Sequence, residues 1–241
     1  MKGLMFLIAL VLFIGPAAHV IEAAMPFEFN YYGNFREITK KKMPEGAVEL
    51  GEELFGPHTY GIGIVGNFEG EITALDGEVL LNYGRDGLNK TLSQIPKGEK
   101  ATLLVTAQVE RWQKITIPFA MSEHQLYTFV LEQARKLGLD TKAPFPFLIK
   151  GIFSDVVWSV VSGIDTELDT KLPRLSWKKV VGYREEAEAL MIGFYPASLR
   201  AEISHPGESW HVHIFFWKEK DTGHVSAFSV LGGSELDLPV R

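Results

Sequence analysis

The chain has 241 residues, 46% hydrophobic and 22% charged, a globular composition that excludes a disordered protein. Its formal net charge of −6 argues against a nucleic-acid partner, because phosphate recognition needs a basic surface. There is no cysteine, which excludes disulfides, a thiolate nucleophile and cysteine-held zinc, so any metal must be held by His, Asp or Glu.

Met1 and Lys2 open the chain, and an apolar run from Gly3 to Gly15 follows. Pro16 breaks the run, and small residues lead to Ala23 and Ala24. A charged start, a short apolar stretch and a small-residue end predict a secretory signal peptide over residues 1–24. A bilayer-spanning helix usually needs about 20 apolar residues, so an uncleaved anchor is the lesser alternative. The mature protein is therefore expected to be secreted or periplasmic and free of the membrane. The basic run Lys40 to Lys42 is expected to be a solvated turn, and Asn89-Lys90-Thr91 is a glycosylation sequon.

The mature chain is expected to be α+β and rich in antiparallel or mixed sheet. An N-terminal part would cover 25–140 and a C-terminal part 141–241. The stretch from Met25 to Thr59 is weakly patterned, with a short helix predicted from Ala47 to Phe55 before Gly56 and Pro57. Strands are predicted over Tyr60 to Val65, Glu71 to Leu75 and Glu78 to Asn82. The last two flank Asp76-Gly77, a two-residue hairpin signal in which both residues take positive φ. One or two strands are predicted between Ala101 and Phe119. Ser122 to Leu139 has the clearest helical period, with Ser122 as cap, Leu126, Phe129, Val130, Ala134 and Leu137 on one face, and Gly138 at the end. Phe147 to Val161, Val180 to Gly182, Ala189 to Tyr195, Trp210 to Trp217 and Val225 to Leu231 all favour strands.

Chemistry concentrates near the C-terminus, where three of the seven histidines lie between 211 and 224. His211 and His213 alternate on a predicted strand and so face the same way. His224 opens the next strand, and three imidazoles would leave an open coordination position, as in a catalytic zinc site. Two registers compete. A tight turn at 221–223 puts His224 opposite Trp217, roughly 13 Å from His213 at about 3.3 Å per residue. A wider turn with its tip near Lys218 and Glu219 puts His224 opposite His213.

The run His211-Val212-His213 with Gly223-His224-Val225 resembles the signature of the acetolactate decarboxylase family. Tyr60-Gly61-Ile62-Gly63, Gly70-Glu71-Ile72 and Leu75-Asp76-Gly77-Glu78 resemble a second family segment. Pro146 to Phe153 and Ile192-Gly193-Phe194-Tyr195-Pro196 resemble two more, in the expected order. The resemblance implies an N-terminal mixed sheet, a barrel-like C-terminal sheet and an assembly that is often dimeric. It implies zinc (Zn2+) held by His211, His213 and His224, with Glu71 as the active-site glutamate. It implies a small-molecule 2-hydroxy-3-oxo acid as substrate: 2-acetolactate would lose carbon dioxide and yield acetoin. A Lewis-acidic cation can stabilise the enediolate left behind, and a carboxylic acid can supply the proton. Glu69, Glu202 and Glu208 are the reserve proton donors.

The chain also departs from the family pattern. Ser159 aligns with an arginine that faces the substrate carboxylate, and Ile64 replaces a threonine. The family's C-terminal extension, with a further glutamate at the metal, has no counterpart before Arg241. Arg184 or Arg200 would be the substitutes for the lost cation. Two other functions stay open: a non-catalytic metal- or ligand-binding protein on this fold, and an exported metal hydrolase. A cavity filled by Trp158 or closed at Ile64 would favour the non-catalytic one.

Overall fold

The computed structural model describes residues 25–84, 91–205 and 207–241, so the signal segment and Asn89 of the sequon lie outside the described residues. Two seven-stranded sheets follow one another along the chain. The first holds β1 (Glu28–Tyr32), β2 (Val48–Glu49), β3 (Thr59–Val65), β4 (Gly70–Leu75), β5 (Glu78–Tyr83), β6 (Thr91–Leu92) and β7 (Lys100–Gln108), with α1 (Phe35–Lys41) between β1 and β2. Its order is β1-β7-β3-β4-β5-β6, and β2 shares the β1 edge of β7. The second holds β8 (Trp112–Thr116), β9 (Met121–Ser122), β10 (Phe145–Ile164), β11 (Trp177–Tyr195), β12 (His211–Phe216), β13 (Asp221–Val230) and β14 (Glu235–Pro239). Three helices accompany it: α2 (Glu123–Lys136), α3 (Thr166–Asp169) and α4 (Arg200–Ile203).

The α+β class is as expected, with one difference in detail. The first sheet was expected to be mixed, yet each pairing described in it is antiparallel. Parallel neighbours need a long crossover, usually a helix, and the only helix longer than seven residues among those described, α2, packs on the second sheet. The Asp76-Gly77 turn forms as predicted, with φ of 51° and 86°. The helix predicted from Ala47 to Phe55 does not form. Ala47 and Leu50 instead donate backbone N–H bonds to Ala101 and Glu99, so the segment joins the edge of β7, and only a 3₁₀ turn remains at Glu52–Phe55.

The second sheet closes partly on itself, because β10 pairs β11 along one edge and both β14 and β13 along the other. The segments around Val180 and Tyr195 belong to one 19-residue strand, β11. Within β10 the buried side chains run Phe145, Phe147, Ile149 and Phe153, then change parity to Val156, Trp158 and Val160. Asp155, at φ 52°, is where the parity changes, alongside a register irregularity against β13. A one-residue bulge moves every later side chain to the other face. This bulge turns Ser159 and Val161 away from Trp158 and toward the first sheet. Helix α2 begins where Gln125 reaches back to the amide and hydroxyl of Ser122, and it buries Leu126, Val130 and Ala134. One apolar core joins Tyr60, Ile62 and Val105 of the first sheet to Phe147, Trp158 and Phe216 of the second. Each such side chain, fully buried, contributes about 1.5–3 kcal/mol.

Candidate metal centre

The wider register is the one adopted: His213 stands opposite His224, and Phe216 opposite Asp221, across a turn at 217–220. Gly223 lets β13 pass against β10, since a Cβ there would lie 2.6 Å from the Ser159 carbonyl oxygen. His211, His213 and His224 come together, with ring centroids 5.2–5.8 Å apart. Each offers a ligand atom within 4.8 Å of the others. Zinc bonds imidazole nitrogen at about 2.0–2.1 Å, so ligands on one ion lie within about 4.2 Å of each other, close to the span seen here.

The donors fit a cation. His213 is fully buried, and its Nε2 has no hydrogen-bond partner among the described residues. A buried, unpartnered nitrogen is costly unless something binds it. His211 Nδ1 donates to the Ile203 carbonyl at 2.8 Å, which leaves Nε2 its lone pair. Burial, then the nearby His224 charge, pushes His211 down to about 4, and burial holds His213 well below the usual imidazole range. Neutral imidazoles are what a metal takes. His224 differs: burial is outweighed by the Glu208 carboxylate, whose Oε1 lies 3.0 Å from Nε2, and its pKa is raised. Glu208 is correspondingly lowered against its own burial by the same hydrogen bond.

Strand β4 brings oxygen to the nitrogens. Glu71 and Thr73 alternate onto the face that meets the second sheet, while Ile72 and Ala74 enter the core behind. Glu71 Oε1 accepts the Val161 N–H at 3.2 Å, and Oε2 lies 3.6 Å from His213 Nε2. Burial pushes the Glu71 carboxyl up to about 8, against the pull of His224 and of the Val161 N–H. Thr73 Oγ1 lies 3.0 Å from His213 Nδ1.

A cavity of about 250 Å³ opens over this group. Phe35, Ile64, Leu103, Val161 and Trp177 form its apolar wall. Ile64 stands opposite Glu71 on β3, and Ser159 opposite His224 on β10. Ile64 lines the cavity without closing it, and Trp158 packs on Phe216 on the other face of β10. Neither Arg184 nor Arg200 lines it: Arg184 lies over the Phe216 ring and pairs with Glu219, and Arg200 starts α4. Lys179, paired opposite Val161, is the lysine that lines it, and its charge reaches Glu71 and His224. Of the reserve glutamates, Glu208 lines the cavity and Glu69 and Glu202 do not. Thr73 was legible in principle, being two residues from Glu71 on one strand. Lys179 was not, because its place depends on the β10–β11 register.

Fold and site define a two-sheet α+β protein with a cluster of three histidines that could hold a metal ion, under a largely apolar cavity. The family model for alpha-acetolactate decarboxylase matches residues 41–238, and the chain belongs to that family. Two crystal structures of acetolactate decarboxylase share the fold. The protein from Bacillus subtilis subspecies spizizenii is 15% identical, with a TM-score of 0.68 over 88% of this chain and 86% of that one. The protein from Bacillus subtilis strain 168 is 15% identical, with a TM-score of 0.66 over the same shares. A Staphylococcus aureus protein described as similar to alpha-acetolactate decarboxylase is 14% identical, with a TM-score of 0.63 over 87% of this chain and 84% of that one. No curated protein matches the sequence.

Proposed function

We propose that this chain is an exported carboxy-lyase that decarboxylates a small 2-hydroxy-3-oxo acid, 2-acetolactate or a close analogue, with zinc held by His211, His213 and His224. The observation that carries this reading is a protonatable buried carboxyl, Glu71, which lines the cavity and lies 3.6 Å from the unpartnered His213 nitrogen. When bound, the cation supplies Lewis acidity for the electrons that collect on the ketone oxygen as the bond to the carboxylate breaks. The chain's residues do the rest. Lys179 faces the anionic end of the substrate. The wall of Phe35, Leu103 and Trp177 excludes water and strengthens each charge interaction inside. Glu71, neutral at pH 7 because its pKa is raised to about 8, gives its proton to the carbon that lost carbon dioxide. Glu208 holds the His224 ring through Nε2. The balance is one carbon–carbon bond broken, carbon dioxide released and one proton taken up, giving acetoin.

The test is metal analysis of the purified mature chain with an acetoin assay on the zinc-loaded form. Stoichiometric zinc with acetoin production supports the reading. Zinc-loaded chain inert toward acetolactate overturns the decarboxylase reading.

A further inference from the structure

Buried hydroxyls in a row carry directional information, because each has one proton to give. Three such contacts run from β13 through β4 to the central histidine. Thr222 Oγ1 donates to the Ile214 carbonyl at 2.8 Å. A carbonyl only accepts, so the one Thr222 hydroxyl proton is spent there. Thr73 Oγ1 lies 2.8 Å from Thr222 Oγ1, so Thr73 must be the donor of that contact. Its proton is spent in turn, and toward His213 Nδ1, 3.0 Å away, Thr73 can only accept. Nδ1 therefore carries the hydrogen and Nε2 keeps its lone pair. Thr73 and Thr222 are both buried, so water does not compete for these hydroxyls. Asn82 of β5 donates to the Thr222 carbonyl at 2.8 Å and to Asp221 Oδ1 at 2.9 Å, which fixes the start of β13 against the first sheet.

We infer that Thr73 and Thr222 are positioning residues: a one-way hydroxyl relay, Ile214 carbonyl to Thr222 to Thr73, sets the tautomer of His213 so that Nε2 faces the cation site. The nitrogen that binds is on the second sheet, and the residue that selects it is on the first. Docking of the two sheets thus completes the ligand set chemically as well as spatially. The inference rests on reading the three histidines as a cation site. Ligand imidazoles elsewhere are oriented through the second ring nitrogen, and losing that partner weakens metal binding about 10–100-fold.

The experiment uses the metal-free mature chain with ¹⁵N-labelled histidine, and reads two-bond nitrogen–proton couplings for His213, assigned by their loss in His213→Ala. The wild type is expected to show hydrogen on Nδ1. Thr222→Val removes the end of the relay and frees the Thr73 proton for Nδ1. His213 then shifts toward hydrogen on Nε2, and zinc affinity, titrated against a chromophoric chelator, falls about tenfold or more. Thr73→Ser keeps the relay and keeps both the tautomer and the affinity. A wild-type His213 with hydrogen on Nε2 overturns the inference without any variant. So does a folded Thr222→Val chain with unchanged tautomer and unchanged zinc affinity. Either result leaves acetoin production by the wild type untouched, whereas a wild type that takes up no zinc sinks the cation-site reading itself.

Discussion

The two hairpins that meet at the site bring different chemistry. The β4–β5 hairpin supplies oxygen and amide groups: the Glu71 carboxyl, the Thr73 hydroxyl and the Asn82 amide. The β12–β13 hairpin supplies His213 and His224 as a directly opposed pair, with His211 two residues back. The first has a two-residue turn with both residues at positive φ, and the second a four-residue turn whose last residue, Lys220, has φ 54°. On the proposed function, the cation ligands and the proton donor lie on separate sheets, so substitutions should separate the two roles.

The largest effect is expected on the nitrogen side. His213→Ala removes a fully buried imidazole proposed to bind the cation, and zinc measured by mass spectrometry in the purified variant should fall to background, with activity lost alongside it. Retained stoichiometric zinc would show that the pair on β12 and β13 is not the anchor.

The oxygen side should behave otherwise. Glu71→Gln keeps the shape and the Val161 N–H contact but has no acidic proton. Its decarboxylation rate should drop about 10²–10⁴-fold while zinc content holds. An equal loss of zinc in that variant would collapse the distinction between the sheets.

A smaller effect is expected at the cavity mouth. Lys179→Met should raise KM about tenfold with little change in kcat, the size of one lost charged contact. An unchanged KM would return the search for the carboxylate partner to Ser159 and Ser226, which also line the cavity.

The smallest effect on activity is expected at Asp221, where the readout is stability. Its carboxyl is buried and pushed up to about 7, by burial first and against the Thr222 N–H, Arg184 and Asn82. Between the ordinary value of 3.8 and about 7, the unfolded chain has lost this proton and the folded chain keeps it. The folded state then binds more protons, so stability falls as pH rises through that window and the full cost applies above it. Asp221→Asn should flatten the slope and raise the melting midpoint at pH 8, by roughly 2–4 °C for each kcal/mol recovered. A parent chain whose stability is level from pH 4 to 8 would refute the shift.

By itself, the sequence determined the elements whose signals are local. Asp76-Gly77 imposes its turn because both residues tolerate positive φ, and the period of Leu126, Val130 and Ala134 imposes α2. Alternation alone put His211 with His213, and the resemblance of Gly70-Glu71-Ile72 to a family segment made Glu71 a candidate. What alternation could not choose was the partner. The strands of the β12–β13 hairpin allow two registers, and the one with His224 opposite His213 is held by contacts from the other sheet, Asn82 to Asp221 and Thr73 to Thr222. The place of Lys179 follows from pairing opposite Val161, and the direction of Ser159 from the bulge at Asp155. Local signals act through a residue's own backbone and its near neighbours, whereas a register is a free-energy difference between whole pairings. Only the packed pair of sheets decides it.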